Sequence, residues 1–391
     1  MIDHEKYSAP ISRVYQDASD MILQAISKRF NMNAPSSADA YESHMLAQLN
    51  AVRREASGIV NRQIAQHEHD IDEAIHSAML DTLADEEPEF EEAVRAGRLE
   101  PVSTTPEESV QKRAKEMSAS TKLLLGAVAL NMVSSAADTY RKGVYAAAEA
   151  LRPVPRLTAP GVPVPPENDN YRQAVKDAVR AMVDSGVTGY VDRAGRHWSP
   201  EAYTAMVIKT NIGNAATRAV LDRNAEYGNS LISVRTNATA RPGCAPWQGT
   251  VIDFADEGGT FTDGYGGSVY AYPVSATSYG QAAGIFGINC NHTPPIPFIA
   301  GSSVVRHADS VDPDVSAANY ELTQRQRRLE RAVRQAKREA AMHQAAGNTD
   351  AYNAARQVVR QRQAAVKQLV DANPGVLVRD LGREWTYGYN Q

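Results

Sequence analysis

Cys244, Cys290 and His292 are the residues of this chain whose types and spacing best suit chemistry. They are its only two cysteines, and a histidine two positions beyond the second. Two thiolates and an imidazole suit zinc, which takes four protein ligands in a structural site, or three and a water in a catalytic one. His197, His307 or Asp253 would have to complete the set. Neither a Cys-x2-Cys pair nor a zinc-finger histidine pair is present. Cys244 and His292 could instead act as nucleophile and base, or the two cysteines could form a disulfide. The same residues also read as two small buried side chains and a capping histidine. That plain reading, with no catalytic residue, metal or cofactor, is the expectation.

The segments that carry these residues are rich in turn formers. One runs Ala240-Arg241-Pro242-Gly243-Cys244-Ala245-Pro246-Trp247-Gln248-Gly249 and the other Phe286-Gly287-Ile288-Asn289-Cys290-Asn291-His292. Arg241-Pro242 sets an extended turn, Trp247 offers a large buried anchor, and Gly249 lets the chain reverse ahead of a strand. Gly287 and Asn289 tolerate left-handed backbone before Cys290. Together with Gln248, these residues predict one compact architectural centre.

Other signatures are absent. There is no His-x-Glu with Pro-Cys-x-x-Cys, no Gly-x4-Gly-Lys-Ser/Thr loop, no Gly-x-Ser-x-Gly elbow and no His-Glu-x-x-His. His67-Glu68-His69 lacks the i, i+4 spacing of a helical metal pair and reads as a solvated face.

A chain of 391 residues, 43% apolar and 22% charged, is ordinary for a globular protein of two or three domains. Aromatics at 7% and abundant alanine favour long helices. The charged start carries no apolar run like that of a secretory leader. The most apolar stretch, Leu123 to Val133, is about half a bilayer span and reads as a buried helix.

Helical spacing of apolar residues predicts helices over 6–30 and 38–83, a short one near 90–96, and a long one from Thr105-Pro106-Glu107-Glu108 to Leu151. Six prolines between Arg152 and Pro166 make an extended linker. Helices follow over 171–185 and from Ser199-Pro200-Glu201 to Tyr227. Strands are expected at 231–235, 250–254 and 268–272, with 258–267 a glycine-rich turn or loop. Beyond Val315 two helices flank Gly347-Asn348, each with one apolar stripe, which predicts an antiparallel hairpin. The expected fold is α+β and predominantly helical. Its layout is an amino-terminal helical region over 1–151, a proline-rich linker over 152–170 and a small α+β module over 171–315 with both cysteine motifs. A basic helical hairpin over 316–372 and a tail over 373–391 complete it.

Charge is asymmetric. Residues 1–110 hold 21 acidic against 9 basic side chains, and residues 321–367 hold 11 basic against 4 acidic. The hairpin contributes Arg325, Arg327, Arg328, Arg331, Arg334, Lys337, Arg338, Arg356, Arg360 and Arg362. Without interleaved aromatics, such a face fits nonspecific contact with packed nucleic acid or docking on an acidic protein, or else is simply solvated.

Taken together, these residues resemble the phage minor capsid protein 2 family. The resemblance is carried by Gly195-Arg196-His197-Trp198, by Ala240-Arg241-Pro242-x-Cys244-x-x-Trp247-Gln248-Gly249, and by Gly287-Ile288-Asn289-Cys290-x-His292 with Pro297-Phe298. Gln326-Arg327-x-Leu329-Glu330-Arg331-x-x-Arg334 continues it. More distantly the chain is similar to Mu F and SPP1 gene 7-like head morphogenesis proteins. The resemblance implies a non-enzymatic virion component, docked at the portal vertex inside the head and assisting assembly, DNA packaging or delivery. Its implied partners are the portal protein, other head proteins and nonspecifically held double-stranded DNA, with no integral membrane association. Two rival classes are an ejected enzyme or effector using Cys244, Cys290 and His292, and a nonspecific DNA-binding protein outside any virion.

Overall fold

In the computed structural model, residues 4–30, 37–152, 167–193, 195–302 and 312–389 are described, with backbone alone for Gln66 and residues 167–170. Residues 31–36, between the first two predicted helices, the prolines of 153–166 and His307 lie outside the described residues. The described chain is predominantly helical α+β, as expected. Its contacts group it into two units. One comprises Met1–Ile11, Glu68–Leu125 and Ala205–Gln324; the other comprises Ser12–His67, Gly126–Thr204 and Arg325–Gln391.

The helices are α1 (His4–Lys28), α2 (Ala38–Leu46), α3 (Leu49–Ile64), α4 (Glu68–Arg95), α5 (Pro106–Leu151), α6 (Glu167–Ser185), α7 (Pro200–Glu226), α8 (Pro313–Ala345) and α9 (Thr349–Asp371). Several begin where the local chemistry demands. At α5, Thr105 and Glu108 satisfy one another's backbone N–H groups, a reciprocal cap. At α7, Ser199 Oγ accepts from the Ala202 amide and Pro200 occupies the first turn.

Two helix boundaries differ from expectation. The helix predicted over 38–83 is three helices, with a 3-10 turn at Ala65–His67 before α4. Conversely, α4 runs through the acidic stretch and Pro88 to Arg95. Burial of Met79 and Leu83 before the proline and of Phe90 and Ala93 after it holds both sides to one face. That offsets the hydrogen bond lost at Pro88. The apolar stretch of α5 is not wholly buried either. Leu125, Val128 and Met132 are inside, whereas Leu123, Leu124 and Leu130 face outward, Leu130 at 73% exposure. By length and composition α5 could also cross a bilayer.

The first unit is organised by a five-stranded sheet in the order β5-β6-β4-β3-β7. Its strands are β3 (Leu231–Ser233), β4 (Val251–Asp253), β5 (Gly259–Thr262), β6 (Ser268–Pro273) and β7 (Ile296–Pro297). Pairing is antiparallel except between β4 and β6. The period-two alternation of strands divides the residues between two faces. Leu231, Val251 and Ala271 pack with Phe298 on one side, and the facing pair Ile232 and Ile252 pack with Cys244, Ile285, Phe286 and Cys290 on the other. The glycine-rich 258–267 stretch is more than a turn. Thr260-Phe261-Thr262 supplies β5, and Asp263 accepts from the Tyr265 and Gly267 amides to close the hairpin.

This unit also buries charge. Arg223 pairs with Glu87 and Glu226, beside the stacked rings of Phe90 and Tyr227. Arg235 pairs with Glu86 and donates from Nε to the Pro294 carbonyl at 2.9 Å. Burial pushes the Glu86 carboxyl up to about 7, against the pull of Arg235. A raised carboxyl pKa means that the folded state holds the proton longer than the unfolded chain does. This contribution to stability is therefore full below about 4.5 and lost as pH rises through about 7. The span corresponds to about 3 kcal/mol. Glu86→Gln is expected to remove that slope, measured as denaturation midpoints against pH. Parallel profiles for variant and wild type would count against the assignment.

In the second unit Tyr140 is fully buried, donates to the Met45 carbonyl at 2.9 Å and meets Phe30 edge-on. A two-stranded ribbon, β1 (Tyr190–Val191) with β2 (His197–Trp198), precedes α7. In α8 and α9, Arg362 donates to the Ala332 carbonyl at 2.6 Å. Both residues lie equally far from Gly347, as an antiparallel hairpin requires. Residues 373–389 of the carboxyl-terminal tail are tied down. Gln326 reaches the Val378 carbonyl, Arg334 the Arg383 carbonyl and Trp385 the Asp17 carboxylate, so this segment straps α8 and α1.

Candidate functional site

The two cysteine segments fold against each other on one face of the five-stranded sheet. Cys244 stands just ahead of a 3-10 turn at Ala245–Trp247, and Cys290 closes a run of tight turns. Arg241 clasps them together, donating from Nη1 to the Ile288 carbonyl at 2.6 Å and from Nη2 to the Gly284 carbonyl at 3.3 Å. Ser278 Oγ donates to the Gly243 carbonyl at 3.0 Å. From α7, Thr210 Oγ1 accepts the Asn289 amide and Lys209 Nζ donates to Asn291 Oδ1. Arg241, Cys244, Gln248, Gly287, Asn289, Cys290 and His292 are thus brought together in one place, with Pro242 and Gly249 in the same turns.

Two expected roles change. Trp247 is half-buried, set edge-on against Tyr272 at 5.8 Å, and is not the buried anchor; Gln248 beside it is buried. Asn289 is left-handed as predicted, and so are Gly249 and Phe286, while Gly287 is not. Gly287 is needed for space. A β-carbon there would come within 2.6 to 3.0 Å of the carbonyl oxygens of Gln281, Ala282 and Gly284.

Inside the centre, Cys244 Sγ and Cys290 Sγ are 4.0 Å apart, and both thiols are free. His292 Nδ1 is 3.4 Å from Cys290 Sγ, and its Nε2 is 3.2 Å from Gln248 Oε1. Cys244 and His292 are each only 1% exposed. The Cys290 thiol hydrogen-bonds to Cys244, which makes Cys244 the more acidic sulfur against its burial, with His292 and Arg241 adding to the effect. The same hydrogen bond, with burial, holds Cys290 protonated above the ordinary thiol range. Of the candidate further ligands, Asp253 is engaged elsewhere. It accepts from Ser230 Oγ and the amides of Ala255, Glu257 and Gly258, which hold its carboxylate below the usual range against burial. His197 lies in β2, in the other unit, within reach of Thr188 Oγ1 at 3.2 Å.

The basic hairpin is divided. Arg325, Arg327, Arg328, Arg331, Arg356 and Arg360 are exposed. Arg362 is half-buried on the Ala332 carbonyl, and Arg334 is occupied by the Arg383 carbonyl. Lys337 is buried, its ammonium over the Tyr389 ring. Arg338 is a core residue, bonded to Asp20 at 2.6 Å and Glu201 at 3.3 Å. Arg334, Lys337 and Arg338 therefore do not belong to an outward basic face. Residue type alone could not separate them; the apolar stripe through Val333, Ala336 and Ala340 was the available signal, because it turns their neighbours inward.

The chain matches the family model described as phage minor capsid protein 2 over residues 4–371. It is similar to a protein named "Structural protein" from Lactococcus phage LL-H, 30% identical over 217 residues, 55% of this chain and 56% of that one. A "Structural protein" of Lactococcus phage mv4 is 32% identical over 106 residues, 27% of this chain and 84% of that one. The match thus spans little more than half of the LL-H protein's length. No solved structure matches the chain.

Proposed function

The chain belongs to the phage minor capsid protein 2 family, and we propose that it is a structural, non-enzymatic component of the phage virion, docked at the portal vertex inside the head. The observation that carries this reading is the family match along nearly the whole chain. The partners in this reading are the portal protein and other head proteins, with packaged double-stranded DNA held nonspecifically. Burial supports the non-catalytic part. A nucleophile must meet its substrate, and both Cys244 and His292 are enclosed by their own turns.

The exposed arginines supply the contact chemistry. Arg325, Arg328 and Arg331 recur every third residue along α8 and share a side of the helix, and Arg356 and Arg360 stand one turn apart on α9. Guanidinium groups pair with carboxylates or phosphates alike. Replacing Arg325, Arg328 and Arg331 together by glutamate is expected to lower the copies incorporated per head, or the DNA retained, several-fold. Folding should be unchanged, because all three side chains are outside the core. If the arginines meet DNA, the triple variant also flattens the salt dependence of binding by a slope of roughly 3. Wild-type incorporation and infectivity would defeat the proposal.

A further inference from the structure

We propose that Cys244, Cys290 and His292 form a structural zinc site that pins the two turn segments of the sheet-containing unit together. Sequence alone favours a metal-free centre, because the spacing matches no zinc pattern. Geometry argues otherwise. The three ligand atoms all lie within 4.8 Å of one another, and all three residues are buried. In a tetrahedral site with Zn–S of about 2.3 Å, two sulfurs stand about 3.8 Å apart and a sulfur and a nitrogen about 3.6 Å apart. The separations in the structure are 4.0 Å between the sulfurs and 3.4 Å between Cys290 Sγ and His292 Nδ1.

The imidazole is already set for ligation. Gln248 Oε1 accepts the backbone N–H of Asn237, so the amide oxygen, not its nitrogen, faces that side. His292 Nε2 meets the same oxygen and must therefore donate its proton. In the neutral ring this leaves Nδ1, 3.4 Å from Cys290 Sγ, with its lone pair free to bind a metal. A ligating histidine held through its other nitrogen by a carbonyl is the usual outer support of a metal site. Arg241 Nη2, 3.6 Å from Cys244 Sγ, provides a donor to the coordinated sulfur. The Gly284 carbonyl oxygen, 3.5 Å from Cys244 Sγ, is already taken by Arg241 and the Gly287 amide, which leaves the fourth position to an added ligand such as water. Loading balances simply. Zn²⁺ displaces any proton still held by either sulfur, and two thiolates with a neutral imidazole leave the buried metal–ligand unit uncharged. Such a clamp suits a chain that offers only short strands to join segments 46 positions apart.

The test uses the full-length purified chain and zinc or cobalt alone as probe. One zinc per chain by elemental analysis is expected. Cobalt substitution should give sulfur-to-metal charge-transfer bands and the visible spectrum of a tetrahedral ion. Cys290→Ser and His292→Gln should each abolish stoichiometric uptake. Gln248→Ala, which keeps all three ligands, should weaken zinc binding about 10–100-fold in chelator competition. Because the cobalt spectrum is read on the wild-type chain, a variant that fails to fold does not blunt the test. Two results overturn the proposal: wild-type protein that takes up neither ion while both thiols titrate free after unfolding, or a chain two hydrogen masses lighter from a Cys244–Cys290 disulfide.

Discussion

Arg338→Ala is expected to destabilise the protein by about 3–5 kcal/mol, the cost of leaving a buried carboxylate without its partner. The guanidinium is held between Asp20, whose side chain is 1% exposed, and Glu201, at 11%. Burial already pushes the Asp20 carboxyl up to about 6, with Arg338 restraining it. Without the arginine, Asp20 must take up a proton near neutral pH or remain an isolated buried charge. A second variant apportions the loss. Because the two groups share one interaction, Arg338→Met combined with Asp20→Asn should cost less than the sum of the single changes. Denaturation midpoints of the four proteins measure the difference. Near-wild-type stability for Arg338→Ala would return Arg338 to the solvent-facing role that its sequence neighbourhood suggests.

That contrast shows where the sequence was informative. Helix starts were legible because their chemistry is local. The Thr105/Glu108 cap, Ser199-Pro200 at α7 and Gly347-Asn348 between α8 and α9 all act within a few residues. The cysteine centre was legible as a centre, because turn formers that dense leave few other uses. Its wiring was not. That Gln248 orients His292 across 44 positions is a long-range fact, and glutamine is an ordinary surface residue. The fates of Arg334, Lys337 and Arg338 depend on Arg383, Tyr389, Asp20 and Glu201, residues distant in sequence or beyond the hairpin. A run of arginines reads alike whether it faces solvent or a buried carboxylate. Likewise Asp17 and Gln24 on α1 fix the strap at Trp385 and Tyr387, and no local pattern at the carboxyl end announces it.

The second large effect is expected at Gly284. A β-carbon there would sit 1.8 Å from the Ser278 carbonyl oxygen, a clash with backbone that no rotamer relieves. The same serine is the hinge of the centre: its Oγ accepts the Ile285 amide and donates to the Gly243 carbonyl. Gly243 is confined too, its β-carbon position 2.6 Å from the Ala283 carbonyl oxygen. To admit Gly284→Ala, the 278–287 turns must move away from the Cys244 segment. The cost is expected at about 3 kcal/mol, the upper part of the overpacking range. Gly126 is the internal control, being exposed on α5 with nothing within 4 Å of its β-carbon position. Gly126→Ala should stabilise by up to about 1 kcal/mol through helix propensity. The two substitutions add the same methyl group, so a loss at Gly284 well beyond the small propensity gain at Gly126 reports packing. If Gly284→Ala is tolerated as well as Gly126→Ala, the two segments do not interlock as described, and the distances on which a shared metal depends lose their support.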